Sequence, residues 1–113
     1  MQEKDKNIII VEKMIKYCDK IIEIRDKNLL NKEKYLSNDV IQLAIDMCIF
    51  QLTELSKHVD ENFKLKHLEI AWVKLSGMRN IHAHDYDKID REVIWDTIES
   101  DIEELKKKLE KII

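Results

Sequence analysis

The chain contains no proline and a single glycine, Gly77, and these two counts narrow its possible folds more than any other feature. Tight hairpins rely on residues that accept positive φ or preset a turn, so a sheet protein without them would lack its punctuation. An all-α fold is expected. Apolar residues at 44% and charged residues at 38% are the mixture that amphipathic helices need. A chain of 113 residues is expected to form one domain over its whole length, with a core small enough that pairing with a second copy would add useful buried surface.

From Ile8 to about Ile24, apolar residues recur at three- and four-residue steps (Ile8, Val11, Met14, Ile15, Cys18, Ile21, Ile22), with charged residues between them, which predicts one amphipathic helix. Residues 25–35 lose the period and read as a helix end and connection. Ser37 or Asn38 can cap the next helix, Asp39 to about Val59. That helix carries two apolar stripes, Val40, Leu43, Ala44, Met47 and Phe50 on one side and Ile41, Ile45, Cys48, Leu52 and Leu55 on another. A helix apolar over most of its girth is buried on two sides, either as the central helix of a bundle or between the bundle and a second subunit. A short helix anchored by Ile70, Trp72, Val73 and Leu75 follows. The last begins at Asp90 and carries Ile94, Ile98, Ile102, Leu105, Leu109 and Ile112 on one face. Together these elements make an up-and-down bundle of four to five helices, with Trp72 and Trp95 as core anchors.

The formal charge of −3 gives no broad basic footprint for a nucleic acid, so any such binding must use a local patch. Lys64, Lys66, His67 and Lys74 form a modest cluster of that kind, although each alone reads as an ordinary solvated side chain. Cys18 and Cys48 sit in apolar helical context and read as reduced core thiols. The charged start, Met1 to Lys6, does not resemble a signal peptide, and no apolar run approaches membrane-spanning length. A soluble, cytoplasmic protein is expected, with no membrane association.

Chemistry concentrates between Gly77 and Tyr86, where Arg79, Asn80, His82, His84 and Tyr86 fall within ten residues. Arg79 and His84 are five residues apart and would point about 140° away from each other on an ideal helix. They could converge if the helix ends or distorts between them, or if they met across a symmetric dimer. Asn80 and His84 are i and i+4, as are His82 and Tyr86, so each pair can share a face, and Asn80 is placed to orient an imidazole. An arginine, a histidine and a tyrosine without a neighbouring Ser or Cys nucleophile suit a substrate that brings its own nucleophile, as RNA does with its 2′-hydroxyl. Histidine can take that proton or return one to the departing 5′-oxygen, and arginine can hold the phosphate in a fixed fork. No metal or other cofactor is required by that scheme.

The run Arg79-Asn80-Ile81-His82-Ala83-His84-Asp85-Tyr86 resembles the Arg-x4-His-x-Tyr signature of HEPN domains, in the branch of HepT-like ribonuclease toxins paired with a minimal nucleotidyltransferase (MNT) antitoxin. Gly77-Met78, Trp72, Ile89-Asp90 and Val93-Ile94-Trp95 resemble the same branch, and the likeness covers nearly the whole chain. It implies an all-α bundle that forms a homodimer with both motifs lining one cleft, and metal-independent cleavage of RNA. By the same resemblance, Arg79 contacts phosphate, Asn80 is the polar position after it, and His84 is the general acid or base. Tyr86 is the residue on which the antitoxin places AMP. Two features depart from the pattern. Ala71 stands where the family often has proline, which touches turn geometry only, and His82 is an additional histidine, read as an exposed helical residue.

Two other readings use the same residues. His82 and His84 could ligate a metal, although His-x-His with no third ligand at a diagnostic spacing is a thin signal. Alternatively the chain is a non-catalytic helical dimer that binds a nucleotidyltransferase partner or a nucleotide, with Arg79 and His84 in ion pairs with Asp85 or Asp87.

Overall fold

A computed structural model of the chain describes residues 5–113, and the described residues are helical with no strand. Most of the charged start lies outside them. The first helix, α1 (Lys6–Lys27), is longer than its periodicity predicts, because Asp5 caps it by accepting from the Asn7 amide at 2.7 Å. The connection holds a short helix, α2 (Lys32–Leu36), which the sequence reading passed over. It has too few residues to show a period, yet it delivers Tyr35 to a fully buried position against Trp95. Asn38, of the two predicted caps, starts α3 (Asp39–Lys57) by accepting from the Ile41 amide at 3.0 Å. Another short helix, α4 (Glu61–Lys66), precedes α5 (Trp72–His84).

Ala71 enters α5 through a tight turn, with φ −80°, ψ 67° and the Trp72 amide donating to the Ile70 carbonyl at 2.9 Å. These are inverse γ-turn angles, and the φ lies within the range a proline ring imposes, so alanine preserves the turn.

After a single 3₁₀ turn (Tyr86–Lys88), Asp90 caps α6 (Arg91–Asp96), which runs through a π-helical turn (Thr97–Asp101) into α7 (Ile102–Lys111). The interruption has a reason in the sequence. Ile94, Ile98 and Ile102 are spaced by fours, which drifts around a regular α-helix by about 40° per step, and one wider turn takes up the lag. All three isoleucines are buried as a result. The turn is braced from outside by Arg25, which donates to the Ile98 carbonyl at 3.2 Å and pairs with Glu103.

α3 is the central rod, packed against α1 on one side and α5 on another, and α7 closes the bundle against α1. The core runs through Val11, Met14, Cys18 and Ile21 of α1 and Ile45, Ile49 and Leu52 of α3 to Ile98 and Leu109. Burying each such aliphatic side chain contributes about 1.5–3 kcal/mol. Trp72 and Trp95 are buried within it, and both cysteines are buried free thiols. Burial pushes the Cys18 thiol up to about 12, so it stays protonated and unreactive at neutral pH.

The two apolar stripes of α3 have different fates. Ile45, Cys48 and Leu52 are inside, whereas Val40, Leu43 and Met47 are 72%, 59% and 59% exposed. Val73 and Ile81 of the neighbouring α5 are also exposed.

Candidate active site

α5 carries Arg79, Asn80, His82 and His84, and it stops at His84 because Asp85 leaves helical geometry (φ −134°, ψ 42°). Arg79 is anchored on α3, its Nε donating to Glu54 Oε2 at 2.8 Å. From there its Nη1 reaches Asn80 Oδ1 at 3.3 Å and His84 Nε2 at 3.4 Å. The long arginine side chain, fixed by a carboxylate on the neighbouring helix, spans the angular gap expected of residues five apart. Arg79 and His84 therefore meet within a single chain.

A guanidinium can only donate, so Arg79 is the donor and His84 Nε2 the acceptor in this contact. Asn80 accepts from Arg79 and makes no hydrogen bond to the imidazole, so it orients the arginine where orientation of the histidine was expected. Glu54 also lies 3.5 Å from His58 Nε2, and hydrogen bonding to Arg79 holds its carboxyl below the usual range. The expected ion pairs to Asp85 or Asp87 do not form: Asp85 pairs instead with Lys88. Asn80 and His84 are both exposed at the surface.

His82 corrects the sequence reading. It is 8% exposed, turned inward, with Nδ1 donating to the Met78 carbonyl at 3.0 Å and Nε2 lying 3.5 Å from Asp46 Oδ1. His82 and His84 thus face different surroundings, and no group of three or more His, Cys, Asp or Glu suited to a metal ion occurs among the described residues.

Asp46 is the centre of a second cluster. Its carboxylate receives Arg91 through both terminal nitrogens at 2.6 and 2.9 Å, and the Tyr86 hydroxyl at 2.5 Å. Arg91 also donates to Tyr35 and Tyr86, each at 3.3 Å. Burial pushes the Asp46 carboxyl upward, but His82, Arg91 and Tyr86 outweigh it and set it at about 2. Donation to that carboxylate raises the Tyr86 phenol above its ordinary value. The Tyr86 ring stays 42% exposed and packs edge-on to His82, as their i, i+4 spacing allows. With Leu43, Met47 and Phe50 it lines a groove of ≈ 320 Å³ between α3 and the end of α5.

Glu54, Asp46 and Arg91 are the site neighbours that the sequence reading missed. One signal was available for Asp46: a carboxylate between Ile45 and Met47, in a helix apolar over most of its girth, calls for a buried partner.

An all-α bundle presenting an arginine–histidine pair at a helix end defines a class of protein, and comparison with known proteins gives the family. Residues 14–112 match the family described as ribonuclease HepT-like, and the chain belongs to it. A Methanocaldococcus jannaschii protein provisionally named an RNase is 32% identical over 88% of this chain and 81% of its own. A second from the same organism, named likewise, is 30% identical over 88% and 84%. A Thermococcus cleftensis protein provisionally named ribonuclease HepT is 35% identical over 71% and 73%. No solved structure gives a significant match.

Gly77 sits on α5 with ordinary helical geometry and nothing within 4 Å of where a Cβ would be. Glycine in a helix interior costs about 1 kcal/mol relative to alanine. Gly77→Ala is therefore expected to raise the melting temperature by a few degrees, measured by thermal unfolding. A lowered melting temperature would mean that the open space is occupied by something packed against α5.

Proposed function

We propose that this protein is an endoribonuclease that cleaves RNA without a metal ion, using Arg79 and His84. The observation that carries the reading is the contact between the Arg79 guanidinium and the His84 ring at the exposed end of α5, in a chain of this family. The 2′-oxygen of the RNA attacks the adjacent phosphorus as the bond from phosphorus to the 5′-oxygen breaks. His84 takes the 2′ proton or returns one to the departing 5′-oxygen, and Arg79 offsets charge growing on the phosphoryl oxygens. Asn80 holds the guanidinium in register.

A homodimer fits this reading, since Val40, Leu43 and Met47 offer an apolar face beside the motif that a second copy could cover. Regulation would run through Tyr86, as the site where a cognate nucleotidyltransferase antitoxin attaches AMP in a toxin–antitoxin pair in the cytoplasm. The phenolic oxygen has no proton to donate once esterified, so AMP transfer would end its hydrogen bond to Asp46 and put a bulky anion at the groove.

The test is incubation of the purified protein with end-labelled RNA in EDTA. Products ending in 2′,3′-cyclic phosphate and 5′-hydroxyl are expected. Cleavage lost on chelation would favour a metal enzyme, and a folded protein inert on every RNA would favour the binding module. For regulation, coexpression with a neighbouring nucleotidyltransferase should add the mass of AMP to the wild type and none to Tyr86→Phe.

A further inference from the structure

Of the four basic positions that the sequence groups upstream of the motif, the fold brings only one to it. Lys74 pairs with Asp101 at 3.1 Å, His67 faces Glu69 at 3.5 Å, and Lys66 lines a different hollow with Asp5 and Asp60. Lys64 stays with the motif and is joined by Lys57, from the last turn of α3. Together with Ser56, Ser76, Arg79 and Asn80 they line a pocket of ≈ 130 Å³ between α3, α4 and α5.

The chemistry of this lining is one-sided. It holds three cations, two hydroxyls and one side-chain amide, with no carboxylate among them. The nearest acid in the hydrogen-bond network is Glu54, which Arg79 already engages and whose carboxyl is lowered first by that bond and further by the charge of Lys57. Lys64 lies 5.8 Å above the Trp72 ring, a cation–π contact that favours this placement of its side chain. The volume is below the roughly 300 Å³ of pockets that enclose a whole small molecule, so the pocket suits a compact anion on a larger ligand.

We propose that this pocket binds a phosphate of the RNA strand next to the scissile bond, with Lys57 and Lys64 supplying the charge and Ser56, Ser76 and Asn80 the neutral donors. Given RNA as the substrate, as proposed above, Arg79 stands at the boundary between the cleavage position and this neighbouring phosphate. The local patch that an acidic protein needs to hold a polyanion is then made by two lysines 7 residues apart in sequence, joined by the turn between α3 and α4.

The experiment compares the wild type with Lys57→Gln/Lys64→Gln on one single-stranded RNA oligonucleotide. Cleavage is followed in the active proteins, and binding is measured in a His84→Ala background over a series of salt concentrations. Neutralising each phosphate contributes about 0.7 to the slope of log K against log salt for single strands, so losing two contacts should reduce it by roughly 1.4. The same loss is expected to raise KM on the order of tenfold near 0.1 M salt, with a far smaller effect on kcat. Lys57→Gln alone, at an exposed side chain, should show about half the slope change and remains readable if the Lys64 change disturbs Trp72. Lys13→Gln/Lys16→Gln, on the outward face of α1, should leave slope and KM near wild type.

An unchanged slope and KM in the Lys57/Lys64 variant, with the wild type cleaving RNA, would overturn the phosphate subsite and leave the ribonuclease reading standing. An equal loss in the α1 variant would overturn it too, by showing a diffuse field in place of a site. Failure of the wild type to bind or cleave any RNA would remove the ribonuclease reading and the subsite with it.

Discussion

Replacing Arg79 or His84 by alanine is expected to lower RNA cleavage by about 10²–10⁴-fold each, the range for loss of a general acid–base group or of a charge stabiliser aimed at the transition state. The effects should fall mainly on kcat. The two residues touch each other, so the double variant is expected to fall well short of the product of the single losses. Folding should survive both changes. His84 is exposed at a helix end, and Glu54, left without Arg79, is part-exposed and keeps His58 nearby. The stability cost of the Arg79 change is therefore about 1 kcal/mol or less. The measurement is single-turnover cleavage in EDTA beside far-UV circular dichroism. Retained activity in both folded variants would sink the assignment.

The largest stability effect is expected at Asp46. Asp46→Asn removes a buried charge that two nitrogens of Arg91 and the Tyr86 hydroxyl converge on. Breaking a buried pair by removing one partner costs about 3–5 kcal/mol, and part-exposed Arg91 places this case near the lower end. Against a total stability of about 5–15 kcal/mol the variant should unfold at clearly lower temperature and urea concentration. The acid limb carries the sharper signature. Asp46 has a folded value of about 2, below the ordinary carboxylate value of 3.8, so its contribution is complete above that higher value and disappears as pH falls through the folded one. The difference corresponds to about 2 kcal/mol lost between roughly pH 4 and pH 2 in the wild type. Urea midpoints measured across that window should fall less steeply for Asp46→Asn. Identical pH profiles would show that ionisation of Asp46 adds nothing to folding.

The two predictions separate parts of the site that differ in how readable they were. Arg79 and His84 were marked by residue type and spacing, because a run of reactive side chains stands out in a chain written mostly in Lys, Glu, Asp, Ile and Leu. Their meeting was not readable, since it depends on Glu54, 25 positions away, holding the guanidinium from another helix. Asp46 and Arg91 escaped for the same reason at a separation of 45 positions. The identity of a charged residue is local, whereas its partner is set by packing. His82 was misread because a histidine on a helix near polar neighbours looks solvent-facing, and only the approach of α3 shows that its face is inside.

By itself the sequence determined the helical class, the major helices and the Asp90 cap, and narrowed the α3 cap to Ser37 or Asn38, because hydrophobic period, capping side chains and the absence of proline act within a few residues of themselves. It also determined which residues carry reactive groups. The tertiary structure decided what those groups face. It turned one stripe of α3 inward and left the other exposed, sorted His82 from His84, and chose Lys57 and Lys64 over Lys66 and Lys74. It also joined Arg79 to Glu54 and Asp46 to Arg91. Each of these outcomes depends on which helices lie side by side, and that arrangement follows from burying the shared core, to which every element contributes and which no single stretch of sequence specifies.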